Sequence, residues 1–285
     1  MRTSRRTRNL LRLGVAITLA FIYLPLLVIA IYAFNKGITL QWPPESLSTK
    51  WFGEAVDNAG ARHALVNSLK VGAVATAIAL VLGTLASLGV ARHRFFGRET
   101  VSFLVVIPIA LPGIVTGLAL SNTFTQVFGV SLSLLTVVIA HATFCIVVVY
   151  NNVIARLRRV SVSLVEASSD LGAHTWQTFR HVTLPGLRTA LVAGGLLAFA
   201  LSFDEIIVTN FTIGAGEQTL PVWIFTQLTR GQQFPIVNVV AMIVVLISIV
   251  PVYLAHRLTR EEEGVAGARG GRIAADAAAE ATAAP

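Results

Sequence analysis

Charge is scarce in this sequence: only 13% of its 285 residues are charged, whereas 55% are hydrophobic. A soluble domain has roughly a quarter charged residues. The low charge, together with a mean hydropathy of +0.74, is typical of an integral membrane protein. The sequence also has no ten-residue segments in which polar and apolar residues alternate, which excludes transmembrane strands.

Cysteine and the motifs of metal or nucleotide chemistry are equally scarce. The single cysteine, Cys145, can form no internal disulfide, and its apolar neighbours predict a small buried side chain. The sequence has no Cys/His cluster for a metal and no G-x-x-x-x-G-K-[ST] phosphate loop for ATP. It also has no H-E-x-x-H motif for an intramembrane metalloprotease. We therefore expect a non-catalytic chain that binds no cofactor or metal itself.

Long apolar runs dominate the sequence instead. Six of them can cross about 30 Å of hydrocarbon as helices, at residues 13–34, 67–90, 100–121, 132–150, 190–211 and 236–255. Prolines interrupt the third run, in VIPIALPGIVTG, and small residues fill the second. Broken membrane helices survive where they are buried or line a cavity, and small residues let helices approach closely. We expect an all-α membrane protein with six transmembrane helices around an interior pathway.

The basic residues lie mostly on one side of these spans. Most of the 22 lysines and arginines fall in the N-terminus, the second and fourth connections and the C-terminus. The positive-inside rule therefore places both termini in the cytoplasm. The net charge of +8 is a topology signal, and we expect the lipid membrane, with no nucleic acid, as the surrounding partner. The resulting organisation is a basic N-terminus at 1–12, a six-helix domain at 13–260, and a disordered cytoplasmic tail at 261–285.

The connection between the fourth and fifth spans, residues 151–189, is too polar for a span and too patterned for a linker. Ser163-Leu-Val-Glu166 fits a capping box, which predicts a short helix at about 164–170. Gly172 suits a left-handed stop after that helix. A second short helix is expected at 175–181, ending before the following proline. The residues alone leave two interpretations, a segment that packs on the membrane surface and a docking element for a cytoplasmic partner.

The stretch EASSDLGAHTWQTFRHVTLP in this connection resembles the cytoplasmic loop of binding-protein-dependent ABC importer permeases. The pattern of that family is E-A-A, three residues, G, nine residues, and then I-x-L-P. Here Glu166-Ala167-Ser168 matches E-A-A, Gly172 follows after three residues, and Val182-Thr183-Leu184-Pro185 follows after nine more. Ser168 and Val182 are mild departures from the pattern.

This resemblance implies the type I ABC importer permease fold in a prokaryotic plasma membrane. In that family the loop contains a coupling helix that contacts an ATPase subunit, which itself binds ATP and magnesium. The resemblance implies an ATPase dimer, a second permease subunit and an extracytoplasmic solute-binding protein as partners. The residues that it assigns to the ATPase contact are Glu166, Ala167, Gly172, Ala173, Leu184 and Pro185.

Three other segments are most similar to the permeases of spermidine/putrescine importers. They read YLPLLVIAIYAFN, LPGIVTGLAL and LSFDEIIVTNF, the last followed by TLPVWIF. This similarity implies a polyamine-like cation as the substrate. Permeases for other amines, amino acids, phosphonates or iron complexes share much of the scaffold, so these substrates remain alternatives. An ion-coupled secondary carrier is a further alternative from a different class of transporter.

Two adjacent acids, Asp204 and Glu205, lie inside the predicted fifth span. Carboxylates at the bilayer centre cost about 2.5–3.5 kcal/mol each on insertion scales, so such a pair faces a bundle interior or a water-filled path. On a continuous helix Glu205 shares one polar stripe with Ser202 and Thr209. We expect this stripe to line the substrate pathway, with Asp204 flanking it, or else to form a network with a second subunit. In the fourth span, we expect His141 to be a satisfied interior histidine.

Overall fold

The computed structural model describes residues 4–249 except positions 40, 45, 94, 160 and 232. These residues form helices joined by loops. In chain order the helices are α1 (Arg5–Ala33), α2 (Lys50–Asp57), α3 (Ala59–Arg92), α4 (Arg98–Ala110), α5 (Gly113–Asn122), α6 (Leu134–Leu157), α7 (Val162–Asp170), α8 (Thr175–Thr178), α9 (Leu184–Phe203), α10 (Ile207–Thr212), α11 (Leu220–Thr229) and α12 (Phe234–Ile249). Two π-helical turns, Thr123–Val127 and Phe179–Thr183, continue α5 and α8.

Each predicted span coincides with at least one of these helices. Four helical segments are long and apolar enough to cross a membrane, and α4 with α5 makes a fifth if the bent pair is counted as one span. The sixth predicted span begins with α12, and its last residues, 250–255, lie outside the described residues, as do 1–3 and the predicted tail at 261–285. The structure therefore confirms an all-helical protein with several apolar spans.

The predicted interruption of the third span is confirmed. The axes of α4 and the segment that begins with α5 differ by 103°. Leu111 adopts an extended conformation between them and Pro112 caps α5. Proline disfavours helical geometry in the residue before it, so the chain turns here. By contrast, Pro108 is accommodated inside α4.

Residues 69–217 form one compact unit. Its core lies around α6, which packs along α9. Small and β-branched side chains fill this core, and the fully buried members include Ala140, Cys145, Val149 and Ala198. The Sγ atom of Cys145 lies 3.3 Å from the carbonyl oxygen of Ala198, so the prediction of a small buried cysteine is confirmed.

Residues 4–68 and 218–248 form the second unit. After α1 the chain turns at Asn35, whose side-chain amide donates to the carbonyl oxygen of Thr39 at 3.1 Å and whose Oδ1 accepts from the N–H of Gly37 at 3.3 Å. The start of α11 is tied to α3, because the N–H of Leu220 donates to Oγ of Ser68 at 2.8 Å.

The predicted second helix of the connection at residues 151–189 does not end before the proline. Helix α8 continues through the π-turn Phe179–Thr183 into α9, so 175–203 is one helical run. Pro185 is the second residue of α9. Pro185 is tolerated here because it follows the π-turn, in which the backbone hydrogen bonds are no longer of the i→i−4 type. A proline lacks a backbone N–H, and near the start of a helix that N–H would have no helical partner.

Candidate functional site

The predicted fifth span is interrupted at residues 204–206, which we call the break. Helix α9 ends at Phe203 and α10 begins at Ile207, so the prediction of a continuous helix over 190–211 is wrong. The last helical bond of α9 runs from the N–H of Asp204 to the carbonyl oxygen of Ala200, at 3.2 Å. In the part of the chain that the structure describes, no backbone N–H donates to the carbonyl oxygens of the last three α9 residues. The break therefore exposes the negative end of a helix dipole.

The two acids occupy different positions at the break. Asp204 is exposed, whereas Glu205 is half-buried. Oε1 of Glu205, which precedes the N-cap Ile206, accepts a hydrogen bond at 2.9 Å from the backbone N–H of Val208 in the first turn of α10. Lys50–Glu54 is the one ion pair among the described residues, so neither acid has a cationic partner within them. Asp204 thus presents a free carboxylate, and Glu205 uses one of its two oxygens within the fold.

Ser202 and Thr209 lie on either side of the break and face inward. Both are buried. Oγ of Ser202 lies 2.7 Å from Nδ1 of His141, and Oγ1 of Thr209 lies 2.8 Å from Nε2 of the same ring. The expectation of a satisfied interior histidine is confirmed. Because both hydroxyl groups are buried and bonded to His141, they do not face a substrate pathway in this conformation.

The contact between His141 and the break could not be read from the helical stripe. The polar stripe was derived for a single continuous helix, so it includes only residues of the fifth span. His141 lies more than 60 positions before Ser202 in the chain. The signal in the sequence was the histidine itself, a polar ring in the otherwise apolar stretch VVIAHATFCIVVV. A polar side chain buried in a membrane span requires hydrogen-bond partners.

An open groove of about 700 Å³ runs along α3 and α9. Its walls are apolar except for Thr76 and Thr84 on α3, whose buried hydroxyl groups have no hydrogen-bond partner among the described residues. On α9 it extends from Leu184 to Phe199, about 22 Å at the helical rise per residue. Phe199 stacks on Phe203 with ring centroids 5.9 Å apart. The groove therefore leads along α9 toward the break.

The connection at residues 151–189 folds as the short helix α7, a tight turn, and the start of the helical run 175–203. Gly172 has φ of +80° and ends α7, as its sequence position predicts. The N–H groups of Gly172 and Ala173 donate to the carbonyl oxygens of Ser169 and Ser168 at 2.9 and 3.1 Å, which is the Schellman pattern. The predicted capping box at Ser163 is wrong, because Ser161 caps α7 and accepts from the N–H of Ser163 at 3.3 Å.

Two large apolar side chains are exposed at this turn, among exposed polar residues. Leu171 is 89% exposed and Trp176 is 61% exposed. Of the residues that sequence analysis assigns to an ATPase contact, Glu166, Ala167, Gly172, Leu184 and Pro185 are exposed, and Ala173 is half-buried. The structure therefore places four of the six, 166, 167, 172 and 173, around a single turn, and the other two follow at the start of α9.

Three polar contacts hold this segment together and to the span helices. Oγ of Ser168 on α7 lies 3.0 Å from the buried Oγ1 of Thr178 on α8. A guanidinium N–H of Arg92, at the end of α3, donates to Oγ1 of Thr183. Nε of Arg156 on α6 donates to the carbonyl oxygen of Gly186 at 2.9 Å. Displacement of the turn would thus act on α3, α6 and α9 together.

No cluster of metal-ligating side chains accompanies these features. Within residues 4–249, less the five undescribed positions, no group of three or more His, Cys, Asp or Glu residues could hold a metal ion. The groups that could bind a ligand in this part of the chain are carboxylates, backbone carbonyls, hydroxyls and the apolar groove.

Several known transport proteins are similar to this chain over most of its length. The putrescine transport system permease protein PotI of Escherichia coli K12 is 32% identical over 252 residues, which are 85% of this chain and 89% of PotI. The spermidine/putrescine transport system permease protein PotC of Haemophilus influenzae is 31% identical over 85% of this chain and 93% of PotC. A putative 2-aminoethylphosphonate permease, PhnV of Salmonella paratyphi A, is 31% identical over 81% of this chain.

Solved structures share the fold at lower identity. A chain of a bacterial ABC transporter involved in the import of the acidic polysaccharide alginate has a TM-score of 0.67 and 16% identity, covering 92% of this chain and 99% of that chain. A chain of the MetNI methionine ABC transporter, in an inward-facing conformation, has a TM-score of 0.59 and 20% identity over 75% of this chain. These similarities show the type I ABC permease fold.

The family assignment rests on the region from α3 onward. Residues 79–261 match the family described as "Binding-protein-dependent transport system inner membrane component". The match includes α6, the turn between α7 and α8, and the break. Together with the identity to PotI and PotC over 85% of the chain, it shows that this protein belongs to the family of binding-protein-dependent transport system inner membrane components.

Proposed function

We propose that this chain is one permease subunit of an ATP-driven importer, and that it forms half of the path of a polyamine-like cation across the plasma membrane. It spans the membrane six times with both termini in the cytoplasm. The names of PotI and PotC support the substrate class. The distribution of basic residues supports the orientation.

The observation on which the substrate proposal rests is the break in the fifth span. Unwound segments of membrane helices bind cations through free carbonyl oxygens and the negative end of the preceding helix. Here the carbonyl oxygens of the last three α9 residues accept no backbone N–H among the described residues, and the exposed Asp204 follows them directly in the chain. Glu205 adds a second negative charge, and only its Oε1 is used in the hydrogen bond to the N–H of Val208. The break is thus a site for an ammonium group.

The groove suits the rest of a polyamine. Such a molecule is a chain of methylene groups with ammonium groups at intervals. The apolar wall of the groove can cover the methylenes, and the stacked rings of Phe199 and Phe203 can face either methylenes or an ammonium group. Asp204 follows Phe203 directly, so the aromatic and carboxylate contacts adjoin.

Transport in this proposal is by alternating access. A pair of partner ATPases binds and hydrolyses ATP, and this chain binds no nucleotide. The turn between α7 and α8 contacts one ATPase through its exposed residues. Arg92 and Arg156 transmit the displacement of that turn to α3 and α6. A second permease subunit completes the path, and an extracytoplasmic protein delivers the solute.

An aminophosphonate is the main alternative substrate, because PhnV is nearly as similar to this chain as PotC is. The acids at the break argue against it. A phosphonate has at least one negative charge, which the unpaired carboxylates and the negative end of α9 would repel. An ion-coupled carrier is the alternative from another class, and it would need no ATPase.

The decisive experiment is uptake by the reconstituted importer. The chain is expressed with its neighbouring transport genes, purified through a tag and placed in liposomes that contain ATP. Initial uptake rates are measured for putrescine, spermidine, 2-aminoethylphosphonate and the uncharged analogue 1,4-butanediol. We expect ATP-dependent uptake of the two polyamines and of neither other compound. Uptake of the phosphonate alone, or purification without any ATPase subunit, would refute the proposal.

The matched variants are Asp204→Asn and Asp57→Asn. Both replace an exposed acid, but Asp57 ends α2 in the other unit. We expect Asp204→Asn to raise the apparent KM for putrescine about tenfold or more, equivalent to about 1.4 kcal/mol. Asp57→Asn should leave the KM unchanged. Equal KM values for both variants would remove Asp204 from the path.

A further inference from the structure

A chain of three hydrogen bonds crosses the break and passes through His141. From α9, Oγ of Ser202 reaches Nδ1 of His141 at 2.7 Å. From the same ring, Nε2 reaches Oγ1 of Thr209 on α10 at 2.8 Å. Oγ1 of Thr209 in turn lies 2.8 Å from the carbonyl oxygen of Glu205, within the break. Of these four residues, only His141 is not on the fifth span.

The bond between Thr209 and the carbonyl oxygen of Glu205 determines which atom donates in the other two bonds. A carbonyl oxygen only accepts, so the hydroxyl proton of Thr209 is donated to Glu205. Thr209 Oγ1 must then accept from Nε2–H of the imidazole. In the neutral ring the other nitrogen is an acceptor, so Nδ1 accepts the hydroxyl proton of Ser202. Every member has a partner, and the chain ends on the backbone of a residue that we place in the cation path.

The surroundings of His141 hold its ring in this orientation. Its side chain is fully buried, and the ring of Phe144 lies 5.3 Å from it, centroid to centroid. Buried networks that are fully satisfied are rigid, since any rotation leaves an unpaired polar group in a low-dielectric interior. The histidine therefore fixes the separation of Ser202 and Thr209, and with it the length and direction of the break.

We propose that His141 is the positioning residue of the cation site: it bridges the two halves of the fifth span and so holds Glu205 and Asp204 in the geometry that binds the ammonium group. This inference rests on the proposed function for its substrate, but its structural part does not. The histidine touches no substrate. It acts through Thr209 and the backbone of Glu205.

The test separates positioning from folding by changing one hydroxyl at a time. Thr209→Val keeps the shape of the side chain and removes both of its bonds, whereas Thr209→Ser keeps the hydroxyl. Thr143→Val is the control, because Oγ1 of Thr143 bonds only within α6, to the carbonyl oxygen of Ala140 at 2.6 Å. His141→Phe removes the whole bridge and is informative only if the complex still assembles.

Two measurements are made on the purified, reconstituted importer. The first is putrescine uptake, in which Thr209→Val should raise the apparent KM about tenfold or more, with a smaller change in the maximal rate. Thr209→Ser should lie within about twofold of the wild type, and Thr143→Val should match it. The second is hydrogen–deuterium exchange of the peptide over 203–209, which should be about tenfold faster in Thr209→Val than in either control.

The outcomes distinguish this inference from the proposed function. Unchanged exchange and unchanged KM in Thr209→Val would overturn the positioning role. A loss of uptake that only follows a lower yield of assembled complex, with the KM unchanged, would also overturn it. If the wild type transports no polyamine, the proposed function fails. The exchange measurement still decides whether the histidine holds the break.

Discussion

Oε1 of Glu205 accepts a hydrogen bond from the backbone N–H of Val208 at 2.9 Å, so the side chain closes the first turn of the helix that follows it. The same carboxylate is one of two negative charges at the break. Glu205 thus combines a structural bond, which any acceptor oxygen can make, with a charge, which only an acid supplies. Substitutions can separate these two contributions.

Glu205→Gln and Glu205→Ala should have different effects. Glutamine keeps an acceptor oxygen for Val208 and loses the charge, whereas alanine loses both. We expect Glu205→Gln to raise the apparent KM for putrescine with little change in stability. Glu205→Ala should in addition destabilise the protein by about 1 kcal/mol, the typical cost of a lost helix cap. The measurements are uptake kinetics and thermal unfolding of the purified complex, and equal stability of the two variants would contradict the capping role.

Gly172→Ala should uncouple ATP hydrolysis from uptake. Gly172 and Gly97 have φ of +80° and +83°, and an added Cβ would meet nothing within 4 Å at either position. Alanine therefore costs the same backbone strain at both, about 1 kcal/mol. Only Gly172 lies in the turn that we assign to the ATPase. We expect lower substrate-stimulated ATP hydrolysis in Gly172→Ala than in Gly97→Ala, and similar values would contradict that assignment.

Ser168→Ala should loosen the turn without unfolding it. The change removes the hydrogen bond to Thr178 and leaves a buried hydroxyl unpaired, at a cost of about 1–3 kcal/mol. Ser169→Ala is the control, since Oγ of Ser169 bonds within α7 to the carbonyl oxygen of Val165 at 3.1 Å. We expect faster hydrogen–deuterium exchange over 164–178 in Ser168→Ala only. The reverse order would show that Ser168 is not the link between α7 and α8.

Gly117→Ala should separate α5 from α10. A Cβ at Gly117 would lie 3.0 Å from the ring of Phe211 and 3.2 Å from the Cα of Val208. Such overpacking typically costs about 1–3 kcal/mol. Gly89→Ala places a methyl group in open space and should be neutral or slightly stabilising, because alanine favours helix. Thermal unfolding should show a lower transition for Gly117→Ala alone, and a common transition temperature would contradict the close packing.

The sequence predicted the features that depend on local patterns. The lengths of the apolar runs predicted the positions of the span helices. The stretch VIPIALPGIVTG predicted an interruption of the third span without showing which of its two prolines causes it, and Gly172 predicted the left-handed end of α7. Each follows from the nearest few residues. The assignment of Glu166, Ala167, Gly172 and Ala173 to an ATPase contact stays a prediction.

The features that the sequence did not predict depend on long-range contacts. No proline or glycine marks residues 204–206, so a continuous helix was the natural expectation for the fifth span. The break is sustained by His141 and by the Glu205 cap, and the first of these comes from another helix. The continuation of α8 into α9 depends on a π-turn, which has no simple sequence signal.

Helix α1 bears on how the protein is made. Its apolar stretch has a mean hydropathy of 2.5, and none of that stretch is buried against other described residues. Such a helix is stable in lipid without neighbouring helices, because its surface is apolar and its backbone groups are hydrogen-bonded within the helix. The arginines at positions 5, 6, 8 and 12 sit at and near its start. It therefore meets the physical conditions for entering the bilayer independently of the helices that follow it.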